Sequence, residues 1–245
     1  DPRILIPEFK TKCYNLYKNF EQLFMYPSKP TIAHVLHRLD FAGAEVLAAN
    51  LTRQLQDQFR FVFLCLDGMG PLGQSLQEEG FAVETLNRQP GLDRPTATRI
   101  KTAIEKHHIQ ILHTHQYTPF FYAALARLGR TKQPKILLTE HGRHYPDVRK
   151  LKRVVANKFL LKKTDRVTAV GEFVKRALVK NEGIKSDRID VIYNGINPAT
   201  FDLIEKQTVR RQVRHELGTA DNQPVILQVA RFHPVKDHAT TLQAL

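Results

Sequence analysis

Short apolar runs alternate with amphipathic segments along most of the chain. The runs are apolar at nearly every position, which is typical of strands buried on both faces of a parallel sheet. They cover residues 31–39, 59–66, 81–86, 109–115, 135–140, 165–170 and 188–194. Because helical segments alternate with them, the pattern predicts an α/β fold with a doubly wound parallel sheet.

The segments between the runs predict the helices of this sheet. In residues 43–56, small and apolar side chains recur three and four positions apart, as on one face of a helix. These side chains are Ala44, Leu47, Ala48, Leu51 and Leu55. A short helix is predicted after the loop 67–71, and further helices within 94–107 and over 119–129, 147–163, 171–181 and 206–217.

The regular alternation covers only part of the chain. Residues 1–30 show no clear period and are interpreted as an N-terminal extension and linker. Residues 31–200 form the predicted Rossmann-like domain. In residues 201–245, a polar helix and a new apolar run at 224–230 indicate a linker and the first βα unit of a second, incomplete domain.

The balance of charge favours anionic partners. With 37 Lys and Arg against 24 Asp and Glu, the formal net charge is +13. This charge suits nucleic acids, phosphorylated small molecules or an anionic membrane surface. The sequence has no aromatic RNA-binding motif, no Cys/His finger and no polybasic tail, so no nucleic acid partner is expected.

Cysteine usage and hydropathy indicate the compartment. Cys13 and Cys65 are far apart, which fits a reducing cytoplasm better than a disulfide framework. No apolar run approaches the roughly 20 residues that a membrane-spanning helix needs. We therefore expect a cytoplasmic protein, either soluble or peripheral at the inner membrane face.

The predicted helix 147–163 bears on the membrane question. It is basic, and its apolar face consists of Leu151, Val154, Val155, Phe159 and Leu160. The pattern is typical of a core-packed helix with solvated charges, and also of a helix that contacts anionic lipid or an anionic acceptor. Both interpretations stay open.

Ligands of open parallel sheets bind at the carboxyl ends of the strands, and the first strand ends in "LDFAGAE". Small residues around Gly43 open a helix there, where free backbone N–H groups can meet a phosphate. The same residues are typical of a tight strand-to-helix turn. The segment lacks the GxGxxG pattern of dinucleotide sites.

Histidines follow the fourth and fifth strands. His113 and His115 are two apart and therefore share one face of a strand, and "TEHGRHYPD" supplies Glu140, His141 and His144. If these strands are neighbours, His115, Glu140, His141 and His144 lie within reach of one cleft. Hydrogen bonding to a polar ligand is favoured over a metal site, because carboxylates are few and no His-x-x-x-His helix is present. A structural role stays open for His113.

The stretch "ARFHPVKD" follows the apolar run 224–230. Arg231 comes directly after the run, and Lys236 lies just before a predicted helix. Two cations and a helix N-terminus around one loop can hold a diphosphate. Two solvated loop cations are the alternative.

Taken together, these motifs resemble those of retaining GT-B glycosyltransferases of family 4. From about Thr31 to Leu245 the chain carries, in family order, "AGAE", "HTH", "TEHG", "DRVTAVGEFVKRAL", "VIYNGIN" and "ARFHPVKD". The resemblance implies two Rossmann-like domains facing a cleft, with residues 31–200 on the acceptor side. It also implies transfer of a sugar from a nucleotide-sugar donor to a hydroxyl, with retention at the anomeric carbon, and no cofactor or metal.

The resemblance implies roles for individual residues. Gly43 would face the donor phosphates and the acceptor, and His141 would contact the donor sugar near the reacting carbon. Arg231 and Lys236 would hold the donor diphosphate and stabilise the departing nucleoside diphosphate, so the catalytic candidates are His141, Arg231 and Lys236. The binding candidates are Gly43, His115, Glu140, Gly142, Asn194 and Gly195.

The chain also departs from the family pattern. Ala42 replaces a frequent Gly, Tyr193 a frequent Pro, and Asn197 a frequent Asp. The Glu-x7-Glu element that holds the donor ribose and sugar would lie beyond Leu245, so we expect a C-terminally truncated chain. The expected function is sugar transfer in polysaccharide, glycolipid or glycoconjugate synthesis. The alternatives are an inactive fragment that acts as a binding module and a metal-dependent hydrolase that uses the histidine cluster.

Overall fold

Seven parallel strands form one sheet in the described part of the first unit. The computed structural model describes residues 6–18, 29–129, 133–142, 147–195, 206–230, 232 and 234–245, and the chain divides into two units, residues 1–196 and 197–245. The strands are β1 (Thr31–Arg38), β2 (Arg60–Gly68), β3 (Ala82–Thr85), β4 (Ile109–His115), β5 (Lys135–Glu140), β6 (Arg166–Ala169) and β7 (Ile189–Val191). Their order is β3-β2-β1-β4-β5-β6-β7, so all seven predicted strands are confirmed.

Helices cover both faces of this sheet. They are α1 (Ile6–Lys18), α2 (Gly43–Leu55), α3 (Pro71–Glu78), α4 (Arg94–Lys106), α5 (Tyr117–Ala126), α6 (Leu151–Leu160) and α7 (Glu172–Glu182). Side chains of α1, α2 and α3 pack on one face, and side chains of α4, α5, α6 and α7 pack on the other. The doubly wound α/β fold is therefore confirmed. None of the helices in the described ranges has the length and apolar character needed to span a bilayer.

The chain changes direction across the sheet between β1 and β4. From β1 it proceeds through β2 to the β3 edge, and it then returns to β4 on the other side of β1. Such a switch point leaves a crevice at the carboxyl ends of the two central strands. This crevice is where a ligand site is expected.

Within residues 1–30, which were interpreted as an N-terminal extension and linker, residues 6–18 form the helix α1. The helix packs on the sheet through Phe9, Cys13, Leu16 and Tyr17, all of which are buried. These positions follow a helical spacing of four, three and one, so α1 belongs to the core of the first unit.

The prediction of a basic helix over 147–163 needs two corrections, one to the length of the helix and one to the burial of its apolar side chains. The helix begins only at Leu151 and ends at Leu160. Before it, Asp147 accepts a hydrogen bond from Asn181 of α7 over 2.8 Å. Leu160 is buried as predicted, but Leu151, Val155 and Phe159 are exposed, so part of the predicted core face is a surface stripe.

The second unit is described separately from the first. It contains α8 (Lys206–Glu216), a 3-10 turn (Pro234–Lys236) and α9 (His238–Gln243). The strand predicted at 224–230 is wrong: these residues have no regular structure, and Leu227 and Val229 are 81% and 86% exposed. A strand needs a hydrogen-bonded neighbour, and the described residues of this unit supply none.

Candidate functional site

A group of histidines lies at the switch point, on the sheet face that α1 and α2 cover. His34 of β1 is the register partner of His113 of β4, and His115 lies two residues further along β4. His141 directly follows β5, which pairs with β4. The neighbouring strands thus bring together the predicted residues His115 and His141, and they add His34, which was not predicted.

Three of the histidines form a hydrogen-bonded row across the strands. His34 Nδ1 lies 2.9 Å from His115 Nε2, and His115 Nδ1 lies 2.7 Å from His141 Nε2. The rings of His115 and His141 are also stacked, with centroids 5.0 Å apart. We call these three residues the histidine row. It connects the interior of the sheet to the carboxyl end of β5.

A second row of polar side chains runs parallel to the histidine row. The hydroxyl of Tyr17 lies 2.6 Å from His113 Nδ1, and His113 Nε2 lies 2.8 Å from the hydroxyl of Thr139. That hydroxyl lies 2.7 Å from the hydroxyl of Thr168 on β6. Because both ring nitrogens of His113 have partners inside the core, the structure supports the structural role that was left open for this residue.

Burial keeps these histidines uncharged. It lowers the pKa of His34 to about 3 and the pKa of His141 to about 4. The pKa values of His113 and His115 are also lowered well below 6.5, because the rings are buried and lie beside other histidines. At neutral pH the rings are therefore hydrogen-bonding groups and not cations.

A small cavity of about 20 Å³ borders both rows. This volume has room for roughly one water molecule. Asn194 reaches it from the segment after β7, and Gly195 follows, partly buried. Its remaining lining comes from α1, α2, the sheet and the residue that follows β6, mainly through Leu16, Leu47, Leu51, Leu137 and Val170. The structure therefore brings Asn194 to the predicted pair His115 and His141.

The predicted glycines lie where the protein leaves open space. Among the described residues, no atom lies within 4 Å of a Cβ atom added at Gly43 or at Gly142. Gly43 is the first residue of α2, and Ala42 before it provides no side-chain cap. The fold does not require glycine at either position on steric grounds, so a ligand can approach the backbone there.

Two other predicted site residues, Glu140 and Lys236, do not line the small cavity. Glu140 is buried at the end of β5, and the pleat of the strand turns it away from the face that carries Thr139. Lys236 is exposed in the second unit and ends the 3-10 turn, two residues before α9. The N-cap residue of α9, Asp237, accepts a hydrogen bond from the backbone N–H of Thr240. Arg231 lies outside the described residues.

The histidine cluster fits a hydrogen-bonded network better than a metal site. Nitrogens of His34, His113 and His115 lie within 4.8 Å of one another. However, both nitrogens of His113 and of His115 already have hydrogen-bond partners. The rings of His113 and His115 are stacked at 4.3 Å, so their nitrogens do not converge on one point as the ligands of a tetrahedral ion do. His144, which the metal hypothesis included, lies outside the described residues.

The sequence contained signals for the residues that were missed. His34 is the only imidazole in an otherwise apolar stretch of β1, from Ile32 to Leu36. A polar ring at a position that points into the core requires a polar partner. Tyr17 could have been found from the helical spacing of α1. Thr139 and Thr168 are short polar residues within buried strands and gave no comparable signal.

The fold is that of the GT-B glycosyltransferases. The glycosyltransferase from Rickettsia africae ESF-5 superimposes with a TM-score of 0.73 and 25% sequence identity, over 89% of this chain and 57% of that one. Anabaena Alr3699/HepE in complex with UDP-glucose has a TM-score of 0.62 and 16% identity, over 78% of this chain and 50% of that one. At this lower identity the likeness shows a shared fold alone.

Sequence comparison identifies the family. Residues 41–200, more than half of the chain, match the profile of Glycosyltransferase Family 4. The chain belongs to this family. EpsF of Bacillus subtilis (strain 168), which is assigned as a glycosyltransferase, is 25% identical over 232 residues. The match covers 89% of this chain and 58% of EpsF, so the chain spans little more than half the length of this relative.

Proposed function

We propose that the protein is a retaining glycosyltransferase that transfers a sugar from a nucleotide-sugar donor to an acceptor hydroxyl. The observation that carries the proposal is the histidine row, which ends at His141 where the sheet opens at its switch point. A crevice at this position is the ligand site of open α/β sheets. The products would be polysaccharides, glycolipids or other glycoconjugates.

The charge and the family support an anionic sugar donor. Anabaena HepE has been crystallised with UDP, with UDP and glucose, and with UDP-glucose. By analogy, Arg231 and Lys236 would hold the donor diphosphate here and stabilise the charge of the leaving group. Stabilisation of developing charge is commonly the largest catalytic contribution. Such a reaction needs no further cofactor, and we propose that none is used.

The structure limits what His141 can contribute. With a pKa of about 4, its ring is neutral near pH 7 and is a poor general acid there. A neutral ring can still donate or accept a hydrogen bond at the sugar. We therefore propose that His141, with His115 and Asn194 nearby, orients the donor sugar, and that Gly43 and Gly142 leave room for it.

Loss of transfer on substitution of Lys236 is the first test. In the longest form of the protein that its gene encodes, Lys236→Ala is expected to lower transfer from UDP-sugars by about 100-fold or more, as for other residues that stabilise transition-state charge. Arg231→Ala should behave alike. Transfer is measured by product formation, and NMR of the anomeric proton reports retention.

Lys206→Ala is the matched control for this test, because Lys206 is an exposed lysine on α8 of the same unit. Its activity should equal that of the wild type. Full activity of Lys236→Ala and Arg231→Ala would contradict the proposed role of these cations. Binding of a UDP-sugar without transfer would indicate a binding module instead.

An anionic membrane surface is the second proposed partner. On α6, Leu151, Val155 and Phe159 are 68%, 54% and 77% exposed, and they are four residues apart, so they form one stripe. Exposed cations flank the stripe: Arg149, Lys150, Lys152, Lys158 and Lys163. An apolar stripe between cations fits anionic lipid, because the cations meet headgroups while the stripe enters the acyl boundary.

Two cations of this region have partners within the protein and are not part of the proposed lipid surface. The guanidinium of Arg153 lies over the ring of Tyr117 at 4.3 Å and contacts Glu182. Lys162 donates a hydrogen bond to Gln133.

Cosedimentation with vesicles tests this surface. The chain is expected to bind vesicles rich in phosphatidylglycerol, to bind phosphatidylcholine vesicles at least about 10-fold less tightly, and to lose binding as salt rises. Leu151→Ser/Phe159→Ser should weaken binding about 10-fold, because two buried apolar side chains are lost. Leu92→Ser, a change at another exposed apolar residue, is the control. Equal binding of both variants and the wild type would contradict the proposed surface.

A further inference from the structure

The two ends of the histidine row have unpartnered nitrogens. Among the described residues, neither His34 Nε2 nor His141 Nδ1 has a hydrogen-bond partner, and both atoms are buried. His34 is fully buried, with its ring stacked against Phe61 and Phe63 at 5.5 and 5.3 Å. His141 borders the cavity and is partly exposed. The row therefore has one sealed end and one end that faces the site.

Counting protons shows that the three rings must share one tautomer. A neutral imidazole carries a single N–H, and each hydrogen bond between two rings needs one N–H and one bare nitrogen. If His115 donates from Nε2 to His34, its Nδ1 is bare and accepts from Nε2 of His141. If it donates from Nδ1 to His141, its Nε2 accepts from Nδ1 of His34. All three rings are then protonated either at Nε2 or at Nδ1.

The sealed end distinguishes the two arrangements. Protonation at Nε2 would leave an N–H of His34 without an acceptor between two phenylalanine rings, and buried N–H groups without acceptors are rare. Protonation at Nδ1 leaves a bare nitrogen there and places the unused N–H on His141, the ring that borders the cavity. The second arrangement is therefore the less costly one.

We propose that His34 is a positioning residue: through His115 it holds His141 in the Nδ1–H tautomer, so that His141 donates a hydrogen bond to an acceptor oxygen of the bound ligand. Resting on the proposed function, this inference makes the acceptor a sugar or phosphate oxygen of the donor. The row then acts as a fixed donor for that oxygen. Its direction is set at the buried end of the row, by His34 on β1.

The second row provides an internal reference. Thr168 donates to the carbonyl oxygen of Leu138 over 3.5 Å, and a carbonyl oxygen can only accept. Thr139 then donates to Thr168, His113 donates from Nε2 to Thr139, and Tyr17 donates to the bare Nδ1 of His113. His113 is therefore expected in the Nε2–H tautomer, opposite to the histidine row.

Nitrogen NMR of the 245-residue chain tests the tautomers without any substrate. In protein with ¹⁵N-labelled histidine at neutral pH, two-bond ¹H–¹⁵N correlations distinguish a protonated from a bare ring nitrogen. We expect Nδ1–H for His34, His115 and His141, and Nε2–H for His113. Nε2–H in the histidine row, or different tautomers within it, would overturn the proposal. This readout stands even if no sugar transfer is found.

Two substitutions of His34 test its positioning role. His34→Asn retains a short amide N–H donor that can reach His115, whereas His34→Phe retains the ring between Phe61 and Phe63 but removes the donor. In the full-length protein we expect a kcat within about threefold of the wild type for H34N and about 10-fold lower for H34F, with KM for the donor changed less, as for a lost orienting contact.

The outcomes separate the two proposals. Equal kcat values for H34F and the wild type would overturn the positioning role, and so would equal losses in H34F and H34N, which would indicate only a structural role. A wild-type protein without any transfer activity would contradict the proposed function and leave the NMR result to decide the tautomers.

Discussion

Acidification from about pH 7 to about pH 4.5 is expected to unfold the first unit, because four of its histidines are buried as neutral rings. They are His34, His113, His115 and His141. In the unfolded chain each has a pKa near 6.5 and takes up a proton as the pH falls below that value. In the folded chain burial lowers each pKa far below 6.5, so the rings stay neutral.

The sign of the effect follows from this difference in protons bound. Below about pH 6.5 the unfolded state binds more protons than the folded state, so the free energy of unfolding falls as the pH is lowered. Each ring contributes about 1.4 kcal/mol per pH unit until its folded pKa is reached. His34 and His141, whose folded pKa values are about 3 and about 4, together contribute roughly 5 kcal/mol over two pH units, and His113 and His115 act in the same direction. This loss is a large part of the total stability of a typical domain.

Guanidinium unfolding followed by circular dichroism, at several values between about pH 7 and about pH 4.5, measures this slope. His34→Phe removes one of the four rings and should reduce the slope by about a quarter. His108→Asn is the control, because His108 is exposed on a turn with φ of 51°, a conformation that Asn tolerates. A free energy of unfolding that stays constant below about pH 6.5 would contradict the neutral burial of the rings.

The strands were predictable because their signal is local. A strand buried on both faces needs an apolar side chain at nearly every position, and a run such as 109–115 shows this directly. The run at 224–230 carries the same signal but has no strand partner among the described residues. Local hydropathy indicates that a segment can form a strand, whereas pairing depends on residues elsewhere in the chain.

The histidine row was only partly predictable for the same reason. His115 and His141 could be assigned to the ends of adjacent strands, because His115 ends β4 and His141 directly follows β5. His34 enters through the pairing of β1 with β4, which are separated by two strands in the chain. Strand order is a tertiary property, so the hydrogen bond between His34 and His115 could not be read from sequence spacing. The roles of Arg231 and Lys236 were inferred from their positions around one loop and from the family resemblance, and they remain predictions.

Substitution of Arg127 by Met is expected to destabilise the first unit by about 3–5 kcal/mol, because it leaves a buried carboxylate without its counter-ion. The side chains of Arg127 and Asp165 are 1% and 0% exposed, and two hydrogen bonds of 2.6 Å join them. Arg127 also donates to the carbonyl oxygen of Leu160. Asp165 accepts from the backbone N–H groups of Ile136 and Lys162.

These contacts connect the end of α5, the start of β5, the end of α6 and the start of β6. They hold both strands at the edge of the sheet opposite the carboxyl ends, so the substitution acts on stability and not on the site. Urea unfolding of R127M against the wild type measures the loss. Transfer activity below the unfolding transition should be retained.

An exposed pair of similar geometry is the matched control. Arg53 and Glu79 also form two hydrogen bonds, of 2.6 and 2.7 Å, but their side chains are 36% and 35% exposed. Water replaces the lost partner at such a site, so Arg53→Met should cost about 1 kcal/mol or less. The double variant Arg127→Met/Asp165→Asn removes both buried charges while an amide oxygen still accepts one backbone N–H. It should therefore be more stable than Arg127→Met, because the unpaired charge accounts for most of the expected loss. Equal losses in R127M and R53M would show that burial does not decide the effect.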